Sequence, residues 1–229
     1  MEFLAARFEH PWWVDAFAFL ILALQLPVPL FWLVIHPAIN FWRRRSRKSY
    51  IAVAALTWLS MWALLFLPFG WWVDLRFTDS APIALAGLAL VVCDEWLLWQ
   101  VKRDMNWRVL VGLAELQPER PESRLVRGGI YDRIRHPRYL GALLSCWGAV
   151  LLTGATRVAY LVALFTVLAL VVMELEEREL LRRLGEDYAD YRRRVPRLLP
   201  RWPRGLRGRR SALGAPAAAD GKPMEVARQ

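Results

Sequence analysis

The chain has 229 residues, of which 56% are hydrophobic and 13 are Trp. This composition is too apolar for an ordinary soluble domain and predicts an integral membrane protein. The formal net charge of +10 is explained by basic loops that attract anionic lipid headgroups, so nucleic-acid binding is not expected. Two cysteines, Cys93 and Cys146, are too few for a disulfide framework or a zinc cluster, and no metal site is expected.

Apolar segments that approach the length of a membrane span recur along the chain, since a spanning helix needs about 20 residues. The first contains Pro27 and Pro29, which predict either a kinked span or a re-entrant pair. A short block is expected to turn through Gly154 directly into the last span. The five blocks are Trp12 to Ile35, Tyr50 to Phe69, Ala81 to Val101, Tyr139 to Ala155 and Arg157 to Met173. We therefore predict an all-α integral membrane protein with about five transmembrane helices.

The loops between these blocks alternate in charge. The loops around residues 43–48 and 102–138 are rich in Arg and Lys, whereas residues 70–80 and the turn at 153–157 are nearly neutral. Because short cytoplasmic loops carry an excess of Lys and Arg, the third loop and the C-terminal segment are predicted to be cytoplasmic. The bias toward Ala, Arg and Leu indicates a bacterial source, and hence a multi-pass protein of the inner (plasma) membrane.

The third loop and the following block contain two motifs. Paired glycines, Gly128 and Gly129, allow the backbone to approach a ligand closely. Pro137 fits the first turn of a new helix, whose N-terminus suits an anionic group. Tyr139 and Gly141 would then offer a ring and a gap for a flat ligand group. The alternative is an ordinary helix start anchored by interfacial side chains. The two motifs read Leu125-Val126-Arg127-Gly128-Gly129-Ile130-Tyr131 and Arg135-His136-Pro137-Arg138-Tyr139-Leu140-Gly141.

Acidic residues crowd the end of the last block, at Glu174, Glu176, Glu177 and Glu179. Acidic groups near hydrocarbon are costly and tend to mark functional sites. Some are expected to pair with nearby arginines, and at least one to bind a ligand. The helix is expected to continue as an amphipathic C-terminal helix on the cytoplasmic side. Its stripe consists of Glu177, Leu181, Leu184, Tyr188 and Tyr191.

These motifs, with Val195-Pro196-Arg197 and Pro200 behind them, resemble the isoprenylcysteine carboxyl methyltransferase and phospholipid methyltransferase family. The resemblance covers roughly residues 117 to 200. It implies an enzyme that uses S-adenosylmethionine as cofactor at the cytoplasmic face and takes a lipophilic substrate from the bilayer. Membrane lipids are the other expected partners, and no obligate protein partner is expected.

The resemblance also implies which residues form the site. Glu176 and Glu177 are the candidate catalytic residues, and Glu176 is also expected to bind the cofactor from the opposite helix. The other cofactor-binding candidates are Gln117, Leu125, Val126, Tyr131, His136, Pro137 and Tyr139. Together with the apolar blocks and the low-complexity composition after Pro200, the resemblance predicts a three-span membrane region (1–110), a methyltransferase-like region (111–200) and a disordered basic tail (201–229).

The methyl acceptor is left open. The resemblance implies an arginine one turn before the paired glutamates in enzymes that act on a prenylcysteine carboxylate, and this chain has Val172 there. A prenylcysteine-like carboxylate is therefore less favoured but stays a candidate, beside a phospholipid, another small lipophile, a thiol or a phenol. An amine or thiol needs a proton acceptor, for which Asp94 and Glu95 are candidates. The alternative is that they pair with Lys102 and Arg103.

Two other functions compete with methyl transfer. Membrane sterol and steroid reductases have a similar pattern of His-Pro, Tyr and Glu-Glu and would bind NADPH, but they usually have more spans. A non-catalytic membrane scaffold is the second alternative. It predicts that His136 and Glu176 can be replaced without loss of any ligand.

Overall fold

The computed structural model describes residues 11–104 and 125–200. These residues form helices joined by short connections, and no strand occurs among them. Gln117, the predicted boundary at residues 110 and 111, and the predicted tail (201–229) lie outside the described residues. The helices are α1 (Trp12–Gln25), α2 (Pro27–Ile35), α3 (Ile39–Arg43), α4 (Arg47–Phe66), α5 (Phe69–Val73), α6 (Ala81–Asp104), α7 (Pro137–Thr153), α8 (Thr156–Leu184) and α9 (Glu186–Arg194), with 3-10 turns at His36–Ala38 and Gly129–Asp132.

Four helical segments are long and apolar enough to cross a membrane: Trp12–Arg43, Lys48–Phe66, Ala81–Arg103 and Thr156–Leu184. The predicted all-α membrane protein is thereby confirmed. Helix α7, the fifth expected span, has 17 residues. At about 1.5 Å per residue it is shorter than a hydrocarbon core of about 30 Å. The number of five spans therefore stays a prediction.

The prolines of the first span end α1 without reversing the chain. Leu26, between α1 and α2, keeps right-handed helical angles (φ −62°, ψ −33°), and its N–H donates to the carbonyl of Leu22 at 2.9 Å. Pro27 takes the first position of α2, where its missing N–H costs no helical hydrogen bond. The prolines therefore interrupt the helix within a single candidate span.

Helices α6 and α7 run antiparallel in close backbone contact. A Cβ on Gly87 would lie 2.6 Å from the carbonyl oxygen of Gly148, and one on Gly148 would lie 2.7 Å from that of Gly87. Small residues allow membrane helices to approach in this way. Two helical turns further along α6, Asp94 lies against Gly141, which lies two turns before Gly148 in α7. The close packing of these glycines therefore places the Asp94 side chain against α7.

The turn between α7 and α8 is formed as predicted. Gly154 ends α7 in the left-handed conformation (φ +60°), which glycine adopts without strain. Its carbonyl accepts a hydrogen bond from the N–H of Phe77 at 2.8 Å. Nearby, Arg76 forms an ion pair with the buried Asp15 of α1 at 2.7 Å. Helices α1, α7 and α8 thus join at this end around the largest buried apolar cluster.

The continuous amphipathic helix expected beyond Glu177 is interrupted. Helix α8 ends at Leu184, and Gly185 has a positive φ of +57° before α9 begins. The expected stripe nevertheless packs together across this break. Tyr188, Tyr191 and Val195 form a buried cluster, against which Leu125, Leu180, Leu181 and Leu184 pack. Its position relative to the membrane stays a prediction.

Candidate functional site

The centre of the candidate site is the start of α7. Pro137 occupies the first turn, and His136 before it is non-helical (φ −121°, ψ +60°), as expected for a residue that precedes proline. The His136 side chain is buried, with Nε2 at 3.0 Å from Oε1 of Glu177 and Nδ1 at 3.9 Å from Oε2 of Glu176. A carboxylate only accepts hydrogen bonds, so Nε2 donates to Glu177. The predicted meeting of the His-Pro motif with the paired glutamates is therefore present.

Glu177 is fully buried and surrounded by cationic side chains. Arg197 donates from Nε to Oε1 at 3.0 Å and from Nη2 to Oε2 at 2.9 Å. Arg135 lies 3.1 Å from Oε1, and Arg192 lies 3.3 Å from Oε2. A buried carboxylate is tolerated only when it is paired and hydrogen-bonded in this way. Both oxygens are therefore occupied by His136 and three arginines, which suits a positioning role for Glu177.

The segment after α9 returns to the start of α7. The N–H of Arg135 donates to the carbonyl of Pro196 at 2.9 Å, and the N–H of His136 donates to that of Arg197 at 3.1 Å. Arg197 also binds Glu174 at 2.7 Å. Sequence reasoning did not assign these residues to the site. The signal was present in Val195-Pro196-Arg197, whose basic residue had no assigned partner.

Three polar groups beside this network are less constrained. The Glu176 side chain is 24% exposed. The ring of Tyr139 contacts that of His136, with centroids 5.7 Å apart. Tyr188 is buried, and in the described part of the chain its hydroxyl has no hydrogen-bond partner. Burial, and then the charges of Glu177 and Glu176, raise the pKa of Tyr188. Its hydroxyl therefore stays protonated and able to donate.

The predicted cofactor-binding residues in the loop before His136 lie in neighbouring apolar clusters. Tyr131 is buried, and its carbonyl accepts a hydrogen bond from the Tyr191 hydroxyl at 2.7 Å. Val126 packs in the same cluster as Tyr131, whereas Leu125 packs against the cluster of Tyr188. Gly128 and Gly129, between them, have positive φ values of 99° and 55°. In the described structure Leu125 and Val126 are thus placed by apolar packing, and no hydrogen bond or ion pair joins either of them to His136.

The two candidate proton acceptors of α6 lie in different environments. Glu95 is exposed, whereas Asp94 is 3% exposed and faces α7. Asp94 Oδ1 occupies the space where a Cβ on Gly141 would lie. The expectation that the gap at Gly141 receives a flat ligand group is therefore wrong, because a carboxylate fills it. Neither residue forms an ion pair with Lys102 or Arg103 in the described structure.

This arrangement coincides with a match to a family model. The model describes phospholipid methyltransferases and matches residues 83–187, a range that includes most of α6, all of α7 and α8, and the His136–Glu177 contact. Residues 83–187 are therefore similar to the phospholipid methyltransferase family, and the resemblance noted in the sequence is confirmed over this segment. This is a family of membrane methyltransferases.

Several relatives share one name. The chain is 31% identical to methanethiol S-methyltransferase 1 of Bradyrhizobium diazoefficiens over 171 residues, which are 70% of this chain and 56% of the relative. It is 24% identical to methanethiol S-methyltransferase of Pseudomonas deceptionensis over 205 residues, 86% of this chain and 66% of the relative. The enzyme of that name from Mycobacterium tuberculosis is 40% identical over 74 residues, 32% of this chain and 29% of the relative. The chain thus spans less than two thirds of each of these proteins. No solved structure matches it.

Proposed function

We propose that this protein transfers a methyl group from S-adenosylmethionine to a small lipophilic acceptor, with a thiol as the favoured acceptor class. The observation that carries the proposal is the contact of His136 with the paired glutamates of α8, inside the segment that matches the methyltransferase family. A membrane scaffold has no need for a buried network that joins a loop, two helices and a returning C-terminal segment.

The chemistry of the residues fits S-adenosylmethionine. This cofactor carries an ammonium group, ribose hydroxyls, a carboxylate and a purine ring. Glu176 has an accessible carboxylate for the ammonium or the hydroxyls, and the buried Tyr188 hydroxyl has hydrogen-bonding capacity to donate. Tyr139 provides an aromatic surface beside His136. The start of α7 favours an anionic group, because helix N-termini carry partial positive charge.

Bound there, S-adenosylmethionine supplies a methyl carbon activated by positively charged sulfur. The protein's contribution is to hold that carbon in line with the acceptor and to exclude water. His136 is held through Nε2 by Glu177, and Glu177 is in turn held by Arg197 and Arg135. Glu177 is therefore proposed to position His136, while Glu176 contacts the cofactor.

A thiol is favoured over the other acceptors for two reasons. Relatives of this chain are named methanethiol S-methyltransferases, and Val172, fully buried in α8, provides no cation for a prenylcysteine carboxylate. Entry of the acceptor from the bilayer suits the apolar surfaces of the four candidate spans. The basic loops support an orientation with the site at the cytoplasmic face, and we propose the bacterial inner membrane as the location.

Calorimetric titration into the detergent-solubilised protein tests the cofactor. S-adenosylmethionine is expected to bind the wild type, and Glu176→Gln is expected to weaken that binding about tenfold, as loss of one charge-assisted hydrogen bond would. Glu186→Gln is the matched control, because Glu186 is exposed and pairs only with Arg193 among the described residues. It should leave the affinity unchanged.

NADPH titrated in parallel distinguishes the competing functions. Binding of NADPH without S-adenosylmethionine would replace the methyltransferase proposal with a reductase. Binding of neither by a folded sample would favour a scaffold. If S-adenosylmethionine binds, transfer of a labelled methyl group to benzenethiol, to a prenylcysteine and to a phospholipid then identifies the acceptor class.

A further inference from the structure

A buried polar cluster lies between α1, α6 and α7, apart from the charged network of Glu177. Gln25 Nε2 donates to Asp94 Oδ2 at 3.1 Å and lies 3.3 Å from Ser145 Oγ. Asp94 is 3% exposed and Ser145 is 1% exposed. All three residues lie in apolar helices, where polar groups are costly and commonly functional.

One oxygen of this cluster has no hydrogen-bond partner among the described residues. Asp94 Oδ1 is buried and accepts no hydrogen bond there. Arg138 and Glu95 are among the charged groups close enough to influence Asp94, and the charge of Asp94 in turn influences the buried Cys146 of α7. Arg138 forms no ion pair with Asp94 in the described structure. A buried carboxylate without a cation destabilises a fold, so a cluster of this kind indicates a use other than stability.

The oxygen that accepts no hydrogen bond lies beside the second turn of α7. Asp94 Oδ1 lies against Gly141, which is four residues after Pro137 and therefore about 6 Å along the helix axis from it. His136 lies directly before Pro137. Ser145 follows Gly141 by one further turn on the same face of α7. The cluster thus adjoins the candidate cofactor site on the side of the apolar helices.

We propose that Asp94 binds the methyl acceptor and accepts its proton, with Gln25 and Ser145 holding the Asp94 carboxylate. This inference rests on the proposed methyl transfer. The acceptor is then a small neutral molecule with an S–H or similar donor, which hydrogen-bonds to Oδ1. It loses its proton to Asp94 and bonds to the methyl carbon, while that carbon's bond to the donor sulfur breaks and leaves its electron pair on that sulfur. Asp94 afterwards returns the proton to solvent.

The same geometry determines charge selectivity. A carboxylate acceptor placed at this position would meet the Asp94 carboxylate, and the two charges would repel each other strongly in an apolar environment. Val172 adds no compensating cation. The inference therefore predicts preference for a protic neutral acceptor over an anion of the same size.

The test compares phenylmethanethiol, which like other alkyl thiols stays protonated at neutral pH, with benzoate, titrated by calorimetry without any methyl donor, in wild type, Asp94→Asn and Glu95→Gln. Asparagine preserves the volume and the contact with Gln25 but removes the charge. The wild type is expected to bind phenylmethanethiol better than benzoate, and Asp94→Asn to reduce that preference about tenfold. Glu95→Gln, one residue along on an exposed position, should leave it unchanged.

Methyl transfer to phenylmethanethiol provides the second measurement. Asp94→Asn should lower the transfer rate about 100-fold or more, as loss of a general base does, and the remaining rate should rise with pH as free thiolate forms. Ser145→Ala removes only a hydroxyl and should lower the rate several-fold, which preserves the test if Asp94→Asn does not fold.

The failures are distinguishable. If the wild type does not bind S-adenosylmethionine, the proposed function fails. If it does, but Asp94→Asn keeps both the phenylmethanethiol preference and the transfer rate, the Asp94 inference is overturned while methyl transfer stands. Failure of phenylmethanethiol to bind a protein that binds S-adenosylmethionine would overturn the inference as well.

Discussion

Two buried carboxylates, Glu177 and Asp94, have opposite surroundings. Glu177 is fully buried, yet both of its oxygens are bound by His136 and arginine side chains, Arg197 among them. Asp94 is 3% exposed and is held by neutral groups, with one oxygen unbound in the described structure. The difference indicates that a carboxylate with partners on both oxygens stabilises the structure, whereas one with an unbound oxygen is available for a reaction.

The largest expected effect on stability comes from removing the carboxylate of Glu177. Glu177→Ala leaves Arg135, Arg192, Arg197 and His136 without their shared partner. Loss of one partner of a buried ion pair costs about 3–5 kcal/mol. Thermal unfolding in detergent should show a strongly lowered midpoint. Glu186→Ala, on the exposed face of α9, should show almost no change, and an equal loss in both variants would contradict the assigned role of Glu177.

The glycine contact that sets the register of Asp94 should give the next largest effect. In Gly87→Ala the new Cβ meets the Gly148 carbonyl at 2.6 Å, and such overpacking costs about 1–3 kcal/mol. Gly70→Ala is the matched control, since nothing lies within 4 Å of its added Cβ. That change should be neutral or stabilise helix α5 by up to about 1 kcal/mol. Chemical unfolding of both variants measures the difference, and equal effects would refute the close packing of α6 on α7.

A smaller effect is expected where the loop before His136 is tied to α9. Tyr191→Phe removes the buried hydrogen bond from the hydroxyl to the Tyr131 carbonyl, and the loss of such a bond costs about 1 kcal/mol. The affinity for S-adenosylmethionine should fall with it, because Tyr131 belongs to the proposed cofactor loop. Calorimetry and thermal unfolding measure the two losses. An unchanged affinity would remove Tyr131 from the cofactor site.

The smallest expected effect on stability is that of Asp94→Asn. The substitution removes a buried charge that has no cationic partner in the described structure, so stability should change by less than about 1 kcal/mol or increase. The midpoint of thermal unfolding measures this. A large loss of stability would show that Asp94 contributes to folding as Glu177 does.

Much of the fold was predictable, because the apolar blocks and the turn at Gly154 are local properties of the sequence. The blocks correspond to helices, and Pro137 begins α7 as expected. The break at Gly185 was not predicted, since the spacing of Leu181, Leu184 and Tyr188 is helical on both sides of it. A periodic pattern records which residues share a face and not whether the helix is continuous.

The site was predictable only in part. The meeting of His136 with Glu176 and Glu177 was expected from the resemblance, but the partners of Glu177 were not, because Arg197 reaches it only after the chain reverses beyond α9. Asp94 and Glu95 were equivalent in the sequence. Adjacent residues on a helix point about 100° apart, and the packing of α6 on α7 buried only Asp94. The assignments of the site residues to cofactor binding and catalysis stay predictions.

The most direct test of this account measures stability and methyl transfer together in Glu177→Gln and Asp94→Asn. The sample is detergent-solubilised protein with labelled S-adenosylmethionine and phenylmethanethiol. The account predicts that Glu177→Gln lowers the unfolding midpoint markedly, whereas Asp94→Asn keeps the midpoint and loses about 100-fold or more in transfer rate. Normal transfer by a stable Asp94→Asn variant would contradict the central claim that the unpaired carboxylate is the reactive one.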